Sequence, residues 1–288
     1  MEAPLREVEV TEALVRGLLH EQHPDLADLP LTSAGTGWDN ALWRLGDHLA
    51  VRLPVRALAA PLVAHEQQWL PVLAPRLPVD VPVPVRVGTP TSRYPWAWSV
   101  VPWFDATAAH HTPVAERSAW AVRLGEFFVA LHRPAPDDAP VNPVRGIPVP
   151  RERIVERLGA LELPDTDRIL ERFRGLVTGT PDWTGPPLWL HGDPHPANLL
   201  VHDRGLRAVI DFGDITSGDP ASDLATAWLT FDADGRAAFR DRLRYDHATW
   251  RRAQAWALHF AVTFLLHPDA HPTLVPIGEH GLAEALAD

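Results

Sequence analysis

The sequence predicts an α+β protein of two lobes, a small β-rich amino-terminal lobe and a larger, mainly helical carboxy-terminal lobe. Two observations predict this division. Apolar and polar residues alternate through much of residues 31–103, as in half-buried strands, whereas helical spacing of apolar residues dominates afterwards. The chain has 288 residues, enough for two small domains with real cores. We therefore expect lobes at residues 1–103 and 104–288, with a ligand cleft between them.

The amino-terminal lobe is predicted to begin with a helix at residues 11–22, capped by Thr11. Three strands separated by two glycine-containing turns follow in residues 31–54, and residues 57–73 form a helical candidate. The segments VPVPVRVGTP and WAWSVVPW predict two further strands, with the prolines at edges and turns.

The carboxy-terminal lobe is predicted to be helical at residues 113–133, 151–161, 166–177, 221–231 and 249–266. Thr112 is the expected N-cap of the first of these helices, with proline at its first position. The proline-rich residues 133–150 must form an extended loop. One β island interrupts the helices at residues 188–214, where LWL, NLLV and RAVID predict short strands.

Composition and charge narrow the function classes. The formal net charge is −11, which argues against nucleic acid as the main partner and is compatible with a cationic ligand. No apolar run reaches the roughly 18 residues that a membrane span needs, so we expect no membrane partner. The acidic start lacks the pattern of a signal peptide and there is no cysteine, so we expect a cytoplasmic protein.

The β island concentrates polar residues between apolar flanks. Asp193 and Asn198 lie in a proline-containing loop between two strands, and Asp211 follows the last strand. Carboxylate and carboxamide oxygens are hard ligands that suit Mg²⁺, which takes its other ligands from water and substrate phosphates. Two alternatives stay open at this point. His191 and His195 could join Asp193 in a transition-metal site, or the cluster could be a hydrogen-bonded turn.

The spacing of these residues resembles a known family. H-x-D-x-x-x-x-N followed by D-F-G is similar to the catalytic loop and metal motif of protein-kinase-like folds. The wording HGD resembles the aminoglycoside phosphotransferase and choline kinase branch, as do GDPASDLA at residues 218–225 and ALH at residues 130–132. The resemblance covers essentially the whole chain and implies a two-lobed, protein-kinase-like fold.

The resemblance implies a role for each residue of the loop. Asp193 would be the catalytic base or orienter of an acceptor hydroxyl, and Asn198 and Asp211 would hold Mg²⁺ on the phosphates of ATP or GTP. His191 would tie the loop to the segment around Asp211. His195 matches no catalytic position.

Two acidic residues downstream of the loop are given supporting roles. Asp219 and Asp223, in the GDPASDLA motif, would support the catalytic loop and the start of a helix.

The amino-terminal lobe would cover the nucleotide. Gly35 and Gly37 are candidates for a hairpin that lets backbone approach the phosphates, although an ordinary turn is an alternative. Arg52 stands where kinase-like folds have a lysine that contacts the phosphates, and Glu66 is its expected helix partner. This is a departure from the family pattern, because a guanidinium fork differs in geometry from an ammonium group.

The nucleobase is expected at the connection between the lobes. Its edge would bond backbone groups from Val101 to Trp103. Packing of Trp103 in the core is an equal alternative to a contact with the base.

The predicted activity is Mg²⁺-dependent transfer of a γ-phosphoryl group to a hydroxyl of a small molecule, in a monomer or homodimer. An antibiotic of the aminoglycoside or macrolide type is the leading acceptor. The alternatives are a metabolic kinase for an amino sugar, sugar or amino alcohol, and a nucleotide-binding pseudokinase or sensor. The candidate contacts for a cationic acceptor are Asp232, Asp234, Glu279 and Asp288.

Overall fold

The amino-terminal lobe is built on one antiparallel sheet. The computed structural model describes residues 6–161, 163, 165–266, 268–269 and 271–288; the first five residues of the acidic start, in which no signal peptide was predicted, lie outside this range. The strands are β1 Leu31–Thr36, β2 Asn40–Leu45, β3 Leu49–Pro54, β4 Arg86–Gly88 and β5 Trp98–Pro102. Their order in the sheet is β1-β2-β3-β5-β4.

The predicted three-stranded meander is confirmed, since β1, β2 and β3 pair antiparallel in chain order. The prediction of a full strand in VPVPVRVGTP is wrong, because pairing is confined to Arg86–Gly88. Pro82 and Pro84 have no N–H to donate to a neighbouring strand, so the segment before Arg86 cannot form a regular ladder.

Two helices pack beside this sheet. Helix α1, Glu12–Gln22, begins at the predicted cap, where the hydroxyl of Thr11 accepts from the backbone N of Leu14 at 3.3 Å. Helix α2, Ala60–Leu73, follows a single 3₁₀ turn. It buries Glu66 on the side that faces the sheet. Apolar residues of α1 and the sheet share one core, which fixes the lobe as a unit.

The carboxy-terminal lobe is mainly helical, as predicted. Its helices are α3 Val114–Arg117, α4 Ala121–Leu131, α5 Arg151–Ala160, α6 Thr166–Val177, α7 Ala221–Leu224, α8 Thr226–Thr230, α9 Ala233–Asp241, α10 His247–Leu265 and α11 Leu274–Ala287. Helix α10 is buried over most of its length and packs against α5, α6, α7, α8 and α11. None of the helices within the described ranges combines the length and apolarity needed to cross a bilayer.

Two predicted helices are interrupted. The segment 113–133 breaks into α3 and α4 around a 3₁₀ turn, and its N-cap is Pro113 rather than Thr112. Thr112 instead closes the preceding turn, because its backbone N donates to the backbone oxygen of Ala109 at 3.0 Å, and its carbonyl accepts from Arg117 Nε at 2.9 Å. The segment 221–231 likewise divides into α7 and α8.

Helices α9 and α11 were not predicted. Gly235 lies within α9, and α11 contains Pro276, Gly278 and Gly281, all of which have low helix propensity. Tertiary packing outweighs that propensity, because α11 lies against both α8 and α10.

The β island forms parts of two sheets rather than one. Strand β7, Leu188–Leu190, pairs with β10, Thr216–Gly218. Strands β8, Leu199–His202, and β9, Gly205–Val209, form a sheet with the short β6, Thr107–Ala108. The polar loop at residues 191–198 therefore connects two sheets, and residues 211–215 return between them.

Candidate active site

A cavity of about 940 Å³ lies where the two lobes meet. Both lobes line it: the β1–β2 hairpin and β3 on one side, and the polar loop, α5, α10 and the start of α11 on the other. Five of the residues singled out from the sequence line it, namely Arg52, Asp193, His195, Asn198 and Asp211.

The path of the polar loop is set by Gly192. Its φ is +92°, and an added Cβ would stand 2.1 Å from the backbone oxygen of Asp214. The loop then makes a 3₁₀ turn in which His195 Nδ1 accepts from the backbone N of Ala197 at 3.3 Å. Asn198 Nδ2 donates to the backbone oxygen of Asp193 at 2.9 Å, which fixes the two ends of the loop together.

Buried hydrogen bonds brace this loop from behind. His191 Nε2 donates to the backbone oxygen of Ile210 at 2.9 Å, and its Nδ1 accepts from the backbone N of Asp193 at 3.1 Å. The carboxylate of Asp223 accepts from the backbone N of His191 at 2.7 Å and of Gly192 at 2.9 Å. The predicted contacts of His191 and Asp223 are thus present.

A second buried acid supports the neighbouring helix start. Asp219 Oδ1 accepts from the backbone N of Ala221 at 3.0 Å, at the start of α7. Its Oδ2 accepts from Arg252 Nε at 2.7 Å, and both side chains of this ion pair are almost fully buried. Asp219 therefore anchors the segment that carries Asp223.

Asp193 lies between two positively polarised groups. Its Oδ2 is 3.2 Å from His195 Nε2, and its Oδ1 accepts from Arg145 Nη2 at 3.3 Å. Burial raises the pKa of Asp193, but His195, Arg145 and His191 together hold the pKa below its ordinary value. The carboxylate is therefore ionised at neutral pH. His195, the residue left without a role by the sequence, orients it.

The acidic residues after β9 face the same cavity. Asp211 has φ +62° and a half-exposed side chain. Asp214, which the sequence analysis did not single out, accepts from Asn142 Nδ2 at 2.8 Å and lies 3.7 Å from Arg145. Burial and the neighbouring carboxylates raise the pKa of Asp214, while Arg145 opposes that rise.

Arg52 joins the two lobes electrostatically. Its Nη1 lies 2.5 Å from both carboxylate oxygens of Glu66, and its Nη2 donates to Asp211 Oδ1 at 2.7 Å. With its amide oriented to satisfy both polar atoms, Asn40 accepts from Arg52 Nη2 at 3.0 Å. The predicted pairing of Arg52 with Glu66 is present, and the same guanidinium holds Asp211.

The donor set suits a hard cation better than a transition metal. Within the described residues, Asn198 Oδ1 and Asp211 Oδ2 accept no hydrogen bond, and both side chains line the cavity. Both nitrogens of His191 are engaged by backbone groups, so this ring cannot ligate a metal. No cluster of three His, Asp or Glu with metal-binding geometry occurs in the described part of the chain, which removes support for the transition-metal alternative.

Four other predicted nucleotide contacts, Gly35, Gly37, Val101 and Trp103, do not line the cavity. Gly35 has φ +109° with open space around it, and Gly37 donates its N–H to Asn40 O at 2.9 Å. Val101 and Trp103 do not line the cavity, and the backbone N–H of Trp103 donates to His48 O. Nucleotide binding by these four residues stays a prediction.

The acidic residues proposed to contact a cationic acceptor are placed elsewhere. Asp232, Asp234, Glu279 and Asp288 do not line the cavity. Asp232 caps α9 by accepting from the backbone N of Gly235 at 2.9 Å, and Asp288 lies 3.7 Å from Arg236. These four residues therefore lie outside the described cavity lining, and their contact with an acceptor stays a prediction.

The cavity instead contains arginines that the sequence did not reveal. Arg145 comes from the proline-rich loop, and Arg153 and Arg157 lie one turn apart on α5. Trp38, at the tip of the β1–β2 hairpin, stacks on His271 with ring centroids 3.9 Å apart and so closes one side.

The chain is similar to known phosphotransferases in sequence and in fold. The model of a phosphotransferase enzyme family, APH, matches residues 30–256. A GDP complex of aminoglycoside 2′-phosphotransferase-IIIa is 20% identical with a TM-score of 0.73, covering 96% of this chain and 99% of that one. A GDP and kanamycin complex of APH(2″)-IIIa is 21% identical with a TM-score of 0.71, covering 95% and 98%.

A macrolide enzyme has the same fold. The apoenzyme of macrolide 2′-phosphotransferase MphH from Brachybacterium faecium is 22% identical with a TM-score of 0.62, covering 95% of this chain and 97% of that one. No curated protein matches the sequence. At these identities the likeness establishes the fold, and the protein-kinase-like fold predicted from the sequence is confirmed.

Proposed function

The family match spans most of the chain, so this protein belongs to the phosphotransferase enzyme family, and we propose that it transfers the γ-phosphoryl group of ATP or GTP to a hydroxyl of a small molecule. One observation carries the proposal. An ionised, oriented carboxylate at Asp193 shares a cavity with two oxygen atoms that accept no hydrogen bond within the described residues and could ligate a metal ion, Asn198 Oδ1 and Asp211 Oδ2. Phosphoryl transfer requires this combination of positioning and charge neutralisation more than it requires covalent chemistry.

The residues divide the work. Asp193 accepts a hydrogen bond from the acceptor hydroxyl, orients it for in-line attack and takes its proton late in the transfer. Asn198 and Asp211 would hold Mg²⁺, which would neutralise charge on the nucleotide phosphates. Arg52 places a permanent positive charge beside Asp211 at 2.7 Å, on the side of the cavity formed by the amino-terminal lobe.

Two classes of acceptor are proposed. The proteins in the solved structures above are named as phosphotransferases of aminoglycosides and macrolides, which supports an antibiotic acceptor. A specific observation favours the second class, a metabolic small molecule. Of the cavity-lining residues on α5, α10 and α11, only Glu156 is acidic, so a polycationic aminoglycoside would meet few carboxylates in the described part of this wall.

A screen of acceptors by nucleoside diphosphate release tests the activity. We expect Mg²⁺-dependent turnover of at least one hydroxyl compound, and Asp193→Asn should lower kcat by about 10²-fold or more while leaving nucleotide affinity nearly unchanged. Asp203→Asn, in the exposed β8–β9 turn, is the matched control. A nucleotide-induced thermal shift without transfer to any acceptor or to water would replace the enzyme by the pseudokinase alternative.

A further inference from the structure

The wall of the cavity opposite the nucleotide-covering hairpin is basic and apolar. Helix α5 contributes Arg153 and Arg157, and α10 contributes Thr263 and Phe264. Arg145 lies beside them, with its guanidinium carbon 4.8 Å from the ring centroid of Phe260. The charge of Arg145 is matched by Asp193 and Asp214, whereas the two arginines of α5 have a different environment.

Arg157 is a half-buried cation held by neutral groups. Its Nη1 donates to His259 Nε2 at 3.0 Å and also contacts the hydroxyl of Thr263. Arg153 is exposed, and neither arginine forms an ion pair or carboxylate hydrogen bond within the described residues. A guanidinium that is partly removed from water without an anion is unfavourable, so Arg157 is poised to accept one, with the exposed Arg153 one turn away.

The pKa values of the neighbouring groups agree with a positive electrostatic potential at this wall. Burial lowers the pKa of Arg157, and the nearby charges of Arg153 and Arg145 lower it further. Burial and the same three arginines lower the pKa of His259 to about 3, so this ring is neutral at physiological pH. Glu156 is the single carboxylate on this wall among the described cavity residues, which leaves a positive surplus.

We propose that the acceptor carries a carboxylate or phosphate group in addition to its hydroxyl, and that Arg153 and Arg157 bind this anionic group. The proposal rests on the proposed function, since it names the acceptor class of the same site. Arg145 donates to Asp193 and also interacts electrostatically with Arg157, so it links the arginines of α5 to Asp193. An acceptor whose anion is bound at α5 would therefore extend its hydroxyl towards Asp193. A guanidinium fork matches the planar oxygens of either anion.

A matched set of sugars tests the charge preference separately from turnover. D-gluconate and D-glucose 6-phosphate supply the two anions, and D-glucose and D-glucosamine supply neutral and cationic compounds with a similar hydroxyl skeleton. Binding is measured by calorimetry with full-length protein saturated with Mg²⁺ and a non-hydrolysable ATP analogue. The variants are Arg157→Gln, Arg153→Gln and the control Arg168→Gln, an exposed arginine on α6 outside the cavity.

We expect the wild type and Arg168→Gln to bind at least one anion about tenfold or more tightly than glucose and glucosamine, the worth of one charge-assisted contact. The preference should fall in both α5 variants. Arg153 is exposed and forms no ion pair within the described residues, so we expect its replacement to leave the stability of the protein nearly unchanged. The ratio between gluconate and glucose 6-phosphate then distinguishes carboxylate from phosphate as the preferred anion.

Three results would overturn the inference: no preference for either anion in the wild type, a preference that survives both α5 substitutions, or a loss of nucleotide affinity equal to the loss of anion affinity. The last result would mean that the arginines bind the nucleotide phosphates. Failure of the proposed function is a separate observation, because it appears as absent phosphoryl transfer whether or not the anions bind.

Discussion

Replacing Arg52 by methionine should destabilise the protein by about 3 kcal/mol, because the change leaves a buried carboxylate without its partner. Arg52 and Glu66 have side chains only 12% and 5% exposed, with Nη1 2.5 Å from the carboxylate. Removing one partner of a buried pair costs about 3–5 kcal/mol. We take the lower end, since Asp211, the other carboxylate released, is 53% exposed and solvent can screen it.

The pH dependence of this loss follows from Glu66. Burial raises the pKa of Glu66 above its ordinary value of 4.5, and Arg52 opposes that rise. In the variant the opposition is removed, so the folded state binds a proton that the unfolded state has already released. The stability deficit is therefore smallest at pH 4.5 and below, and it grows as the pH rises towards the raised folded-state pKa.

Urea denaturation of the nucleotide-free protein, followed by circular dichroism from pH 4.5 upwards, measures both the loss of stability and its pH dependence. The control is Arg86→Met, which removes a surface pair with Asp25 whose side chains are 46% and 58% exposed and which should cost under about 1 kcal/mol. The double variant Arg52→Met with Glu66→Leu should recover most of the loss. Equal destabilisation by the two single variants, or no recovery in the double variant, would refute the reasoning.

Three further outcomes are expected. Gly192→Ala should lower both Tm and kcat, because a Cβ would stand 2.1 Å from Asp214 O, whereas Gly159→Ala, with open space around it on α5, should leave both unchanged or raise Tm. His259 has a pKa lowered to about 3, so the unfolded state binds a proton that the folded state does not, and stability falls as the pH drops below 6.5. His259→Gln keeps an acceptor for Arg157 and should make this fall shallower by up to about 1.4 kcal/mol per pH unit, measured by urea denaturation at pH 4 to 7; an unchanged slope would contradict the assignment. Chelation of divalent cations should abolish phosphoryl transfer without changing the Tm of the nucleotide-free protein, and a fall in that Tm would point to a structural metal.

The polar loop at residues 191–198 was predictable from local sequence. Asp193, Asn198 and Asp211 are separated by short stretches whose strands and turns the sequence also predicts. The pairing of Arg52, on a regular strand, with Glu66, on the next helix, was implied by the family resemblance. The two residues alone did not fix this pairing, because it depends on how the helix packs against the sheet.

The wall of the cavity formed by Arg145 and helices α5, α10 and α11 was not predictable, because its residues come from segments that are distant in the sequence. Arg145 lies in a loop without periodicity, and the exposed face of α5 that bears Arg153 and Arg157 has the pattern of an ordinary solvated helix. Only the packing of α5 against α10 shows that this face borders the cleft. The start of helix α11 completes the same wall. This helix was not predicted because proline and glycine have low helix propensity.

Net charge and local charge lead to opposite conclusions about the acceptor. A net charge of −11 is compatible with a cationic ligand, yet the acidic residues Asp232 and Asp288 are used in a helix cap and in an ion pair, and neither lines the cavity. Salt screens exposed charges that are separated by more than about 10 Å, so the net charge of the chain does not set the charge inside the cleft. On the wall formed by α5, α10 and α11, Arg153 and Arg157 outnumber Glu156, whereas Asp193, Asp211 and Asp214 lie elsewhere around the cavity. The anionic acceptor that we propose is therefore compatible with the acidity of the chain as a whole.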